Sequence, residues 1–165
     1  PEAATDPVHL FVVAAWLRDK LDPNWQVPRD EVDIVLRQTM ATYAVEALAA
    51  DPYFWQSELQ RWDAEYGNVI EWSTNVSKAM ARATDKLFAA VKAPTLTHDG
   101  HELLATHIAN ATTRPTPAGD ILVKHHKNSD RKIDAAVAAC IAHDVAVTLG
   151  NTPKPLPLLS GVIAL

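Results

Sequence analysis

Only one cysteine, Cys140, stands among the 165 residues, so no internal disulfide can form and the chain suits a reducing compartment. The same scarcity weakens a zinc reading, because His98, His101, His107, His125 and His126 lack a paired-ligand spacing. Nothing flanking Cys140 forms a thiol-protease signature, which leaves it as a small core residue. Glycine is sparse as well, at five, and no Gly-x-x-x-x-Gly-Lys-Ser/Thr loop occurs, so no ATP binding or hydrolysis is expected. No apolar run is long enough to cross a membrane, and Pro1 to Leu10 lacks a secretory-leader pattern; the expectation is a soluble, intracellular protein. Positive charge is not in excess either. A net charge of −5 argues against a surface coated for nucleic acid, so any DNA contact has to come from a local basic patch.

What is present suffices for one ordinary domain with a real core, since 48% of the residues are hydrophobic. Val8 to Trp16 reads as a strand, entered through the turn-forming Asp6-Pro7. Pro28 can open a helix in which Val32, Val35, Leu36, Thr39 and Met40 recur at helical spacing and Asp30 and Glu31 suit the positive end. Tyr43 to Ala50 is a short apolar run stopped by Asp51-Pro52, as a buried strand would be. Trp55, Leu59, Trp62 and Tyr66 then repeat at intervals of three or four before Gly67, and core packing accounts for this aromatic stripe better than a base-stacking platform.

Further on, Val69 to Trp72 is expected as a strand, and Ser77 or Asn75 as the cap of a helix carrying Met80, Ala83, Leu87, Phe88 and Val91. A connector or short strand is expected over 95–100, a helix over 102–111, a Pro-containing loop over 112–119, a strand over 121–123, and a last helix over about 130–147. Residues 1–150 are read as one domain and 151–165 as a Pro-rich apolar tail. Pro153, Pro155 and Pro157 exclude a helix there, while Leu156, Leu158, Leu159, Val162, Ile163 and Leu165 suit docking on the domain or on a partner. Alternating strands and helices imply an α/β fold, a mixed sheet with flanking helices.

The chemistry concentrates in Lys124-His125-His126-Lys127-Asn128-Ser129-Asp130-Arg131-Lys132-Ile133-Asp134. A basic loop runs there straight into an apolar helix that carries a carboxylate. Lys124, Lys127, Arg131 and Lys132 suit phosphates, with Arg114 as a possible extension. A partly buried Asp134 is costly unless it is paired or binds a cation. The competing reading is an ordinary first-turn acid facing the helix dipole, worth up to about 1 kcal/mol. From the residues alone, both stay open.

Lys132-Ile133-Asp134-Ala135-Ala136-Val137-Ala138-Ala139, preceded by His107-Ile108-Ala109-Asn110-Ala111, resembles the end of the C-terminal nuclease domain in large subunits of tailed-bacteriophage terminases. Tyr43 to Pro52 followed by Tyr53-Phe54-Trp55 is similar to that family's middle strand and its acidic end. The blocks agree in order and spacing and span about residues 8–148.

The resemblance implies a ribonuclease H-like fold in which three acids gather at one end of the sheet. Asp51 matches the second and Asp134 the third, as catalytic and metal-holding residues; the first has no match, because the chain is expected to begin after that strand, and Asp6 sits in the turn. The implied activity is metal-dependent endonucleolytic cutting of concatemeric double-stranded DNA during packaging, with a two-ion Mg²⁺ or Mn²⁺ site in the full domain. A fragment lacking one acid is expected to bind metal weakly and to cut poorly.

Lys124, His125, Lys127, Arg131 and Lys132 are the expected DNA contacts, and His107 and Asn110 supporting residues with a structural bias. The implied partners are DNA, the small terminase subunit and the portal protein, with no membrane, in the host-cell cytoplasm. Two other classes fit the same residues. One is a non-catalytic module that docks on the packaging motor or guides DNA, and the other is a ribonuclease H-like recombinase or transposase.

Overall fold

The computed structural model describes residues 7–19, 21–126 and 129–150, and the backbone of 160–164. In chain order the elements are β1 (Val8–Leu10), α1 (Arg29–Thr42), β2 (Ala44–Ala50), α2 (Gln56–Tyr66), β3 (Val69–Glu71), α3 (Ser77–Lys92), β4 (Leu96–His98), α4 (Glu102–Asn110), β5 (Ala111–Thr116), β6 (Gly119–Lys124), α5 (Asp134–Gly150) and β7 (Ser160–Ala164). The architecture is α/β, as expected. Strands β3-β2-β7 form a parallel sheet, β1 and β4 a parallel pair, and β5 and β6 an antiparallel ribbon.

Strand β2 organises the core because its second half, Ala47–Ala50, is buried on both faces, which is why that stretch, beyond Glu46, is continuously apolar and does not alternate. Leu48 and Ala50 face one way, onto Val32 and Leu36 of α1 and Leu59 and Trp62 of α2. Ala47 and Ala49 face the other way, onto Met80, Ala83 and Leu87 of α3 and Cys140, Ile141 and Val145 of α5. The small alanines of β2 and α5 let helix and strand approach closely. The aromatic stripe of α2 is core, as its spacing predicted: Trp62 and Leu59 are buried and Trp55 stacks on Trp62 at 5.9 Å. Asp33 ties α1 to α2 by accepting two hydrogen bonds from the Arg61 guanidinium, at 2.6 and 2.9 Å, and one from Trp62 Nε1 at 2.6 Å.

Several local expectations shift. Strand β1 covers only Val8–Leu10, and the chain from Phe11 to Trp16 is irregular. Pro28 sits just before α1, not inside it, and α3 starts behind Val76 with no side-chain cap from Asn75 or Ser77. The segment expected as a Pro-containing loop is strand β5. Pro115 is tolerated because a two-stranded ribbon leaves each strand an open edge where an N–H is not needed. Helix α5 begins at Asp134, not near Asp130. In the apolar tail, β7 pairs in parallel with β2, while residues 151–159 lie outside the described residues. No helix among the described residues is long and apolar enough to cross a membrane.

Candidate functional site

Asp51 follows the last residue of β2, where Pro52 ends the strand. Its Oδ1 accepts from Tyr53 N at 3.0 Å, and its Oδ2 accepts from Thr74 N at 3.3 Å and from the Thr74 hydroxyl. Trp72 N donates to Ala50 O at 2.8 Å, carrying the loop after β3 alongside. The half-buried carboxylate is thus held in one orientation. A carboxylate offers roughly four acceptor positions, and these donors leave one of them free.

Asp134 is the first residue of α5 and is exposed, so the expected penalty of a partly buried acid does not arise at this position. The buried acid of the helix is Asp144, which the sequence reading did not single out. Asp134 lies within electrostatic reach of the His107 ring. Burial lowers the His107 pKa, Asp134 pulls it back up, and Lys124 and Lys132 push it down again. The His107, Lys124, Lys132 and Asp134 side chains therefore form one neighbourhood.

His107 Nδ1 accepts from Ala135 N at 3.0 Å, satisfying one of the helix's unpaired first-turn donors and leaving the ring neutral with its proton on Nε2. Asn110 Nδ2 donates to Lys132 O at 3.0 Å. Both supporting residues thus pin the start of α5 and the loop entering it. That is the structural role favoured for them, exerted at the place that would matter for chemistry.

The basic loop is partly described. Lys124 ends β6 and is half-buried, while His125, His126, Arg131 and Lys132 are exposed; Lys127 lies outside the described residues. The His125 and His126 rings sit 4.2 Å apart, and with Ser129 and Arg131 they line a shallow depression. Arg114 is exposed on β5. No hydrogen bond joins Asp51 to Asp134, but α5 packs against β2, the strand that delivers Asp51.

Three further histidines serve local structure. His9 Nδ1 meets Thr97 Oγ1 at 2.8 Å, His98 Nδ1 accepts from Gly100 N, and His101 Nδ1 accepts from Leu103 N at the start of α4. Among the described residues no three His, Cys, Asp or Glu side chains gather as a metal cage. Cys140 is buried, and burial pushes its thiol up to about 12, so it is an inert core residue.

Asp144 is 2% exposed and accepts from Trp72 Nε1, from Arg82 Nε and Nη2, and from Lys86 Nζ. The signal that would have found it is a carboxylate amid apolar residues of one helix, with two cations four residues apart on another.

Residues 26–148 match the family model described as terminase large subunit, endonuclease domain. The Gene 13 protein of Mycobacterium phage L5 is 32% identical over 145 residues, covering 81% of this chain and 24% of the relative. The Gene 13 protein of Mycobacterium phage D29 is 31% identical over the same share of each. The chain spans about a quarter of the length of these relatives. No solved structure matches it.

Proposed function

Because the chain belongs to the family of terminase large-subunit endonuclease domains, we propose that it is the DNA-cutting part of a phage packaging terminase. In this reading it is a divalent-metal-dependent endonuclease of ribonuclease H-like type that cuts concatemeric double-stranded DNA into genome lengths. The observation that carries it is the pair of acids within the matched region: Asp51 fixed at the end of the central strand by Tyr53 and Thr74, and Asp134 at the start of the helix packed on that strand.

The donor set fits Mg²⁺ or Mn²⁺. Both ligands are hard carboxylate oxygens, Asp51 keeps a free acceptor position, and Asp134 takes no hydrogen bond among the described residues. Divalent ions there would supply an activated water and charge stabilisation for phosphodiester hydrolysis. The residues around them have separate tasks. Thr74 and the Tyr53 amide hold the Asp51 carboxylate, and neutral His107 and Asn110 fix the approach of Asp134. Lys124, His125, Lys127, Arg131 and Lys132 grip the phosphates on either side of the cut.

The reading places the protein in the host-cell cytoplasm, working on DNA with the portal protein and the small terminase subunit. The test is cleavage of concatemeric DNA by the full-length protein with Mg²⁺ or Mn²⁺. Cutting should stop in Asp51→Asn and Asp134→Asn while DNA binding persists. Binding should be sequence-independent and fall as salt rises, with a flatter salt slope in Lys127→Ala and Arg131→Ala. A full-length protein that binds DNA and metal yet never cuts would replace the nuclease by a docking or DNA-guiding module.

A further inference from the structure

Directly after Asp51 the chain makes a tight turn, Pro52-Tyr53-Phe54-Trp55, closed by Trp55 N donating to Pro52 O at 3.0 Å. Phe54, its third residue, has φ +67°. A turn with positive φ at that position alone belongs to glycine or asparagine, because a Cβ there is strained. This chain places phenylalanine there instead, and the ring does not repay the strain by packing. Phe54 is 74% exposed and Tyr53 65% exposed. Their rings lie 4.1 Å apart and are tilted by 48°, a wedge and not a flat platform.

The turn beneath the rings is held firmly. Arg29 Nη2 donates to Phe54 O at 2.8 Å and the same guanidinium pairs with Glu58, while it lies 5.1 Å from the centre of the Trp55 ring. Trp55 in turn stacks on buried Trp62. A strained, anchored turn that presents two aromatic rings to water beside an oriented carboxylate costs stability that no packing in the domain offsets.

We propose that Tyr53 and Phe54 form an aromatic wedge that inserts between bases of the DNA next to the phosphodiester presented to Asp51. The inference rests on the nuclease reading and adds a contact to bases that the basic loop, directed at phosphates, does not supply. Ring insertion at a base step unstacks and kinks the duplex, and the tilt between the two rings matches an opened step better than a continuous stack. Residues 53 and 54 enter the turn's hydrogen bonds through their backbone atoms, so side-chain variants leave the anchoring of Asp51 intact.

The experiment uses full-length protein and duplex DNA carrying 2-aminopurine at several steps, in EDTA so that binding is read without cutting. Wild-type protein should raise 2-aminopurine fluorescence on binding. Phe54→Gly should have a higher Tm, because the turn strain is relieved, yet bind DNA about tenfold more weakly and lose the fluorescence rise, with an unchanged salt slope. Phe54→Trp should keep both binding and the signal, and Tyr53→Ala should lose them in part. If Phe54→Gly and Tyr53→Ala bind DNA and report unstacking like the wild type, the wedge is wrong. It is equally wrong if they lose only association with the portal protein, which would make the rings a protein contact. Failure to cut DNA with Mn²⁺ would strike the nuclease reading alone, since the wedge is judged by binding and fluorescence.

Discussion

Replacing Asp144 with Asn removes the charge on which α3 and the loop after β3 converge. Arg82 Nη2 and Lys86 Nζ each donate to it at 2.8 Å, and Arg82 Nε and Trp72 Nε1 at 3.3 Å. Breaking a fully buried ion pair costs about 3–5 kcal/mol, chiefly because the orphaned charge stays out of water. Here the Arg82 and Lys86 side chains are 56% and 30% exposed and rehydrate once released. The cost therefore drops to about 2 kcal/mol, the scale of lost charge-assisted hydrogen bonds. At about 2–4 °C per kcal/mol for a domain of this size, Tm should fall by about 4–8 °C.

The pH dependence should change as well. Burial pushes the Asp144 carboxyl up, but the hydrogen bonds and charges of Arg82 and Lys86 outweigh it and hold it below the ordinary carboxylate range. As pH falls, the unfolded chain takes that proton first. The stabilisation is whole above the unfolded value of about 3.9 and is lost as pH falls through the folded one. Thermal and urea unfolding of the wild type, Asp144→Asn, Lys86→Met and the double variant, from neutral pH to pH 3, measure both effects. A single variant within about 1 °C of the wild type, or a coupling with Lys86 below about 0.5 kcal/mol, refutes the reasoning.

Other perturbations follow from individual contacts. Asp33→Ala leaves buried Trp62 Nε1 and the Arg61 guanidinium without their acceptor, and should cost about 1–3 kcal/mol in urea unfolding. Leu48→Ala opens a cavity at a residue 0% exposed between α1, α2 and β2, and should cost about 2–5 kcal/mol. Burial holds the pKa of His107 down, and protonation would also remove the Nδ1 acceptor of Ala135 N. Its contribution is therefore complete above the unfolded value of about 6.5 and lost as pH falls from there toward the folded value. The slope of stability against pH between about 7 and 5 should be smaller in His107→Gln than in the wild type. It should not vanish, because burial also lowers His143.

The parts of the fold legible in the sequence are those where one periodicity dominates. The run ending at Asp51-Pro52 announces a strand buried on both faces, and the spacing of Leu59 and Trp62 announces the buried stripe of α2. Strand β5 was hidden because Pro115 argues for a loop unless it is known that the strand has only one partner. Asp51 and Asp134 are visible as carboxylates at the edges of apolar elements, where a charge interrupts the pattern. Asp144 was not, because its three partners come from positions 72, 82 and 86, and only the folded chain brings them to α5. The partners of His107 and Asn110 were likewise invisible, since they are backbone atoms of Ala135 and Lys132.

Mn²⁺ binding followed by electron paramagnetic resonance in the full-length protein tests the central claim most directly. Asp51→Asn and Asp134→Asn should each weaken Mn²⁺ binding by at least about tenfold, the loss of one charged ligand, and Asp134→Asn should do so without lowering Tm. Asp85→Asn, at an exposed position of α3, should leave it unchanged. Equal Mn²⁺ affinity in the wild type and in Asp134→Asn would contradict a metal site built from the end of β2 and the start of α5.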